Sequence, residues 1–489
     1  MSERKSGLLL HISSLPGEEG IGTLGKGAYT FIEKLHATGV KVWQILPLGP
    51  TGHGNSPYNS FSAFAGNPLF IDCNLMAAFY QVDFPALSFE QTSKVDFSIV
   101  IKEKMHFFRS VFPKIKNHLA ESEEYNDFVE KEAFWLKDYT LFMAIKNKQN
   151  NAPLAEWDYD LRLRKEARLK VMSEKLKDEI LFYEFLQYEF FRQWQLLIDY
   201  ANAHEIEIMG DIPVYVAYDS ADVWSHPELF SLDEDLFCVK VSGVPPDYFS
   251  AEGQLWGNPV YNWEKNKAEN YRWWKNRLQK NLDMFHLVRI DHFRGFSEYW
   301  SIDAGEQTAV NGKWEKGPGY DFFHALINPS QQKQIVAEDL GILSDDVRAL
   351  IQQLGFPGMR VLQFAFDGGK ENPHKPSFYT ENTVVYTGTH DNDTLAGWIS
   401  TLEPEMLTFI CEYLGCKPDE MHWHIIRLAL SSTAFLCILP VQDILQSGTE
   451  ARMNIPGTVI NNWIWRMKLS DTENNGFEKF KRFVYLYDR

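Results

Sequence analysis

Eight short apolar runs recur along the chain, at 7–12, 40–46, 206–216, 286–295, 334–341, 358–366, 383–391 and 434–440, with helix-patterned segments between most of them. Continuous apolar runs bounded by Gly, Pro or charged residues read as strands buried on both faces, and their alternation with helices predicts a parallel sheet. Eight such units predict a (β/α)8 arrangement. The expected class is therefore α/β: a (β/α)8 TIM barrel with helical and loop insertions and no separate C-terminal β domain. The expected organisation is one barrel domain over 1–489. It carries a helical insertion at 84–204, where apolar residues recur at three-to-four spacing, and a loop insertion at 241–259, dense in Gly and Pro.

Four of the runs end in acids. Asp211, Asp291, Glu338 and Asp391 close the third, fourth, fifth and seventh. In a barrel of this kind the chemistry sits at the C-terminal strand ends. One strand-end Asp is ordinary, because Asp begins loops and caps helices. Four of them, with Arg289 and His390 alongside, exceed what capping explains. In the fourth run side-chain alternation sends Arg289 and Asp291 to the same side. Burying such a pair is costly unless the two groups satisfy each other or serve a reaction.

Composition narrows the partners. The chain has 48 Lys+Arg against 66 Asp+Glu, a formal net charge of −18, which argues against nucleic acid or an anionic membrane surface. Aromatics make up 15% of residues, a surplus that suits a groove stacking the flat faces of sugar rings. The cysteines (Cys73, Cys238, Cys411, Cys416 and Cys437) form no CxxC pair and read as reduced thiols. With no signal-peptide core and no membrane-length apolar run, the expected location is cytoplasmic.

There is no GxxxxGK[ST] loop, no HExxH and no GxSxG elbow in the sequence. Clustered carboxylates leave two readings: glycoside chemistry with a nucleophile and an acid/base, or an enolase-type divalent-metal site. Arg289 beside Asp291 argues against the metal, because a guanidinium repels it. The same cation keeps Asp291 an anion ready to attack. Apolar neighbours at 335–337 favour a protonated Glu338.

The motifs around these acids resemble the signature regions of amylomaltase, the 4-α-glucanotransferases of the α-amylase clan. They are Gly210-Asp211-Ile212-Pro213-Val214-Tyr215, Arg289-Ile290-Asp291-His292-Phe293-Arg294-Gly295, Ala337-Glu338-Asp339-Leu340-Gly341 and Thr387-Gly388-Thr389-His390-Asp391. The likeness extends to Ser56-Pro57-Tyr58, Gly243 through Ser250, Gly253 through Pro259, and Ala451 through Gly457 with Asn462-Trp463. Small departures are Tyr218, where His is commoner, and Ser242, where Ala is commoner. The resemblance implies a retaining transferase with Asp291 as nucleophile, Glu338 as acid/base and Asp391 as a third acid gripping sugar hydroxyls. It implies substrate contacts from Ser56, Tyr58, Asp211, Trp256, Arg289, His390 and Asn454, and a mobile loop carrying Tyr248 and Phe249. It implies no cofactor and no metal. The implied partners are α-1,4-glucans (maltooligosaccharides, amylose, glycogen-derived dextrins), with glucose as an acceptor. An α-1,4-glucan hydrolase uses the same acids; the loop blocks at 243–250 and 451–457 favour transfer.

Overall fold

The computed structural model describes all of the chain except residues 1–3, 86, 247–249, 342 and 368, and the side chain of His53. The eight expected strands are all present: β1 (Lys5–Leu9), β2 (Val42–Gln44), β3 (Glu207–Ile212), β4 (Leu287–Ile290), β5 (Ile335–Ala337), β6 (Gly358–Val361), β7 (Thr383–Tyr386) and β8 (Leu436–Pro440). They form one parallel sheet in the order β6-β7-β8-β1-β2-β3-β4-β5. A backbone bond from Ala337 N to Pro357 O, 2.9 Å, brings β5 to the start of β6 and completes the (β/α)8 barrel.

The strands are shorter than the apolar runs, so most of the acids stand just past a strand. Pro213 follows β3, and a 3-10 turn (Leu362–Phe364) follows β6 where the apolar run continues. The barrel interior is filled by side chains from several strands. Gln44 on β2 accepts from the Tyr386 hydroxyl on β7 at 2.9 Å, and the indole of Trp43 donates to Leu10 O at 2.8 Å. A Cβ at Gly210 would lie 2.3 Å from the Phe285 ring, so glycine there lets β3 pack closely against the helix end that precedes β4.

Between β2 and β3 run helices Phe97–Leu119, Glu123–Lys131, Ala133–Lys148, Tyr159–Arg162, Glu166–Lys175 and Lys177–Ala203. The last of these packs on β3 and on helix Lys26–Thr38, so it is the barrel's own crossover helix. Its apolar face has the same period as those of the helices before it, which is why the sequence does not mark where the barrel resumes.

The segment 241–259, expected as a loop, holds two strands. Lys240–Val244 and Gln254–Pro259 pair antiparallel, and with Glu298–Asp303 and Lys313–Lys316 they build a second, four-stranded sheet. The glycines behind the loop reading mark irregularities of a hairpin: the register shifts between Val241 and Gly243, and Gly253 and Gly257 have positive φ. After Pro440 the described residues carry one isolated bridge at Trp465 and no strand. Helix Asn475–Leu486 packs against Lys26–Thr38, and Arg489 donates to Lys5 O at 3.0 Å, tying the chain's end to β1. Among the described residues no helix is long and apolar enough to cross a membrane.

Candidate active site

Strand register assembles the first layer of the site. Asp211 on β3 is the register partner of Arg289 on β4, and Ile290 is the partner of Ala337 on β5. Asp291 and Glu338 therefore stand one step further on, at adjacent strand ends. Their backbones continue the pattern: Asp291 N donates to Ile212 O at 2.9 Å and Glu338 N to Ile290 O at 3.0 Å.

Arg289, almost fully buried, ties three of these strands together. Its Nη1 lies 2.6 Å from Asp211 Oδ2, its Nη2 lies 2.8 Å from Asp291 Oδ1, and its Nε lies 3.4 Å from the Met359 sulfur on β6. Burial opposes its charge, but Asp211 and Asp291 hold it well above the ordinary arginine value. Asp211 is itself buried, and burial raises its pKa against the pull of Arg289. Its Oδ2 also accepts from the Tyr58 hydroxyl at 2.7 Å, while Oδ1 has no hydrogen-bond partner among the described residues.

Glu338 is held by two backbone donors, one per oxygen: His292 N at 2.8 Å to Oε2 and Leu340 N at 2.7 Å to Oε1. Both favour the carboxylate, as does Arg289. Burial outweighs them and pushes the carboxyl up to about 7, with the neighbouring negative charge of Asp291 adding to the rise. Its neighbour Asp291 is instead ion-paired to Arg289, so the two adjacent carboxyls have different surroundings.

On the other side of the barrel mouth, the loop after β7 supplies His390 and Asp391. The His390 ring stacks on Tyr58, with centroids 5.2 Å apart and planes at 14°. Asp391 Oδ1 accepts from Asn454 Nδ2 at 2.7 Å and lies 3.4 Å from His390 Nε2. The Asp391 side chain is 44% exposed, which leaves its second oxygen accessible to a ligand. Ser56 Oγ accepts from Tyr58 N at 3.3 Å and so braces the loop that carries the tyrosine. Trp256, on the hairpin, packs edge-on against His292 with centroids 4.8 Å apart. Tyr248 and Phe249 lie outside the described residues. Each of the other predicted residues is bonded to, packed on, or adjacent in register to another of them or to a neighbour of Glu338.

Three residues of the site escaped the sequence reading as individuals. His292 lies in the left-handed region at φ 46°, which orients its N–H to Glu338. Trp463 packs on both Tyr58 and His390, each at 5.8 Å. Arg452 donates to the main-chain oxygens of Asp391 at 2.6 Å and Asn454 at 2.8 Å. All three appear only inside motif strings of the sequence, and no local spacing ties them to the acids. Among the described residues no group of three or more His, Cys, Asp and Glu side chains is arranged to hold a metal ion. Arg289 occupies the space between two of the acids.

A family model described as 4-alpha-glucanotransferase matches residues 10–471. The chain belongs to the 4-alpha-glucanotransferase family. It is 47% identical over 477 residues to the 4-alpha-glucanotransferase of Synechocystis sp., covering 95% of this chain and 94% of that protein. The 4-alpha-glucanotransferase of Clostridium butyricum is 44% identical, covering 98% of this chain and all of that protein. The solved amylomaltase from Streptococcus agalactiae, in complex with acarbose, superposes over the whole of both chains with a TM-score of 0.94 at 39% identity. Amylomaltase from Corynebacterium glutamicum shares the fold at 18% identity, with a TM-score of 0.79 over 98% of this chain and 75% of its own. Membership of the 4-alpha-glucanotransferase family makes this chain a glycosyl-transferring enzyme, and the hydrolase reading of the same acids is not favoured.

Proposed function

We propose that this chain, acting as one catalytic unit over 1–489, moves α-1,4-glucan segments from one maltodextrin to the 4-hydroxyl of another glucan or of glucose, with retention. The observation that carries the reading is the pairing of Asp291 with Glu338. They stand at neighbouring strand ends, the first bonded to a buried guanidinium, the second with its proton affinity raised to about 7.

In the first step Glu338 gives its proton to the glycosidic oxygen as an Asp291 oxygen attacks the anomeric carbon. The C–O bond breaks, and the leaving glucan departs with the proton on its new 4-hydroxyl. In the second step the Glu338 carboxylate takes the proton from the acceptor's 4-hydroxyl. That oxygen displaces Asp291, which returns as a carboxylate. Two inversions preserve the α configuration, and retaining enzymes hold the two carboxyls roughly 5–5.5 Å apart. Asp391 and His390 grip sugar hydroxyls, Tyr58 and Trp256 offer ring faces, and Arg289 holds Asp291 and Asp211 in place. The chemistry asks for no cofactor. The unpaired cysteines fit a cytoplasmic enzyme.

Glu338→Gln given maltosyl fluoride tests the covalent step. Fluoride leaves without an acid, but no base remains to activate an acceptor. Denaturing mass spectrometry should find a maltosyl adduct on the peptide bearing Asp291. Fluoride release with no adduct there rejects Asp291 as nucleophile.

A further inference from the structure

His292 touches both the second sheet's strand Gln254–Pro259 and Glu338. Its main-chain N–H donates to Glu338 Oε2, and its ring meets Trp256 edge-on at 86°. The ring also lies against Gly295, where a Cβ would come within 3.4 Å of His292 Cδ2. Its backbone, at φ 46° and ψ 50°, is left-handed, a conformation that costs a non-glycine residue on the order of 1 kcal/mol or more and persists only where the surroundings enforce it. The ring meets Trp256, which itself packs on Tyr215, and lies beside Gly295. Burial drives its pKa down to about 4, so near neutrality it is an uncharged wedge and adds no charge beside Asp291.

We infer that His292 is a positioning residue coupling the strand Gln254–Pro259 to Glu338: Trp256 seated on its imidazole holds the left-handed turn, and that turn aims the His292 N–H at Glu338 Oε2. This rests on Glu338 being the acid/base. It adds that the seating of Trp256 on His292 sets how firmly the Glu338 carboxylate is held.

The test is the pH profile of kcat/KM on maltotriose for His292→Gly, His292→Asn, Trp256→Phe and the double variant His292→Gly/Trp256→Phe. Glycine and asparagine both accept a positive φ and keep the N–H, so folding is preserved, and near-UV circular dichroism checks it. Slackening a hydrogen bond to a carboxylate raises its pKa. The alkaline limb, where Glu338 loses its proton, should therefore move upward by roughly half a unit in both His292 variants. The value of kcat should fall on the order of tenfold while KM changes little, since a displaced catalytic group costs rate more than binding. Trp256→Phe should shift the limb in the same direction, and the double variant should shift it no further than His292→Gly alone. An unmoved limb in both His292 variants, or shifts that add in the double variant, overturns the coupling. Wild-type activity in Glu338→Gln is a separate outcome and strikes the acid/base assignment itself.

Discussion

Arg289 and Asp291 leave the same strand end two residues apart, and the guanidinium Nη2 lies 2.8 Å from the carboxylate Oδ1. The same guanidinium holds Asp211 Oδ2 at 2.6 Å, so one buried cation serves two acids. A lysine cannot span both, because its ammonium is a point charge without the planar fork. Arg289→Lys should fold yet lose on the order of a hundredfold in kcat/KM through misplaced carboxylates. Arg289→Ala leaves Asp211 buried without its cation and should cost about 3–5 kcal/mol in urea unfolding. Near-wild-type kcat/KM in the lysine variant would show that bridging does not matter.

Asp291→Asn should remove turnover while the fold and glucan binding persist, because the side chain keeps its shape and loses only the nucleophilic charge. Calorimetric titration with a maltodextrin, beside an activity assay, separates the two. Retention of more than a small fraction of wild-type disproportionation contradicts the assignment.

Activity should survive exhaustive chelation, since the acids are assigned to carbon–oxygen chemistry rather than to Mg²⁺. Loss of activity in EDTA, restored by a divalent ion, would bring back the metal reading of the acid cluster.

Two carboxyls predict pH effects of different kinds. Glu338, raised to about 7, must be protonated for donor cleavage, so kcat/KM should fall as pH rises past about 7. Asp443 is buried, accepting from Thr387 Oγ1 at 2.6 Å and Leu395 N at 2.7 Å, and burial raises it to about 6. Its folded pKa exceeds its unfolded one, so the folded state binds the proton more tightly. Stability should then decline as pH rises from about 4 to about 6 and level off above, by on the order of 3 kcal/mol. Asp443→Asn should flatten that slope and be no less stable than wild type at pH 7. An unchanged slope would show that Asp443 is not the group responsible.

Tyr248 and Phe249 fall in sequence between the strands Lys240–Val244 and Gln254–Pro259. Aromatic rings there would shield the glycosyl–enzyme from water and offer a face to the acceptor ring, each worth about 1 kcal/mol by analogy with aromatic pairs. Tyr248→Ser with Phe249→Ser should raise the reducing ends released per transfer event. If that ratio holds while both rates drop together, the pair serves binding or folding.

The barrel was legible because each strand is a continuous apolar run, and the acids because four of those runs end in a carboxylate. The second sheet was not, because its ladder joins residues near 241 to residues near 302, and its glycines imitate a loop. Strand ends were overextended for a related reason: the apolar runs continue past the last ladder bond into packed turns such as Leu362–Phe364. Within the site, charge and alternation pointed to Arg289 and Asp291. The turn at His292 was hidden, since nothing in a His-Phe-Arg-Gly string announces a left-handed histidine. Trp463 was quoted only within a motif, because its meeting with Tyr58 spans most of the chain.

Incubation with maltotriose alone, followed by chromatography of the products over time, tests the central claim most directly. The account predicts glucose together with a ladder of maltodextrins longer than three units, and little change in total reducing ends. Shorter products alone, with reducing ends rising in step with cleavage, would make the chain a hydrolase and contradict it.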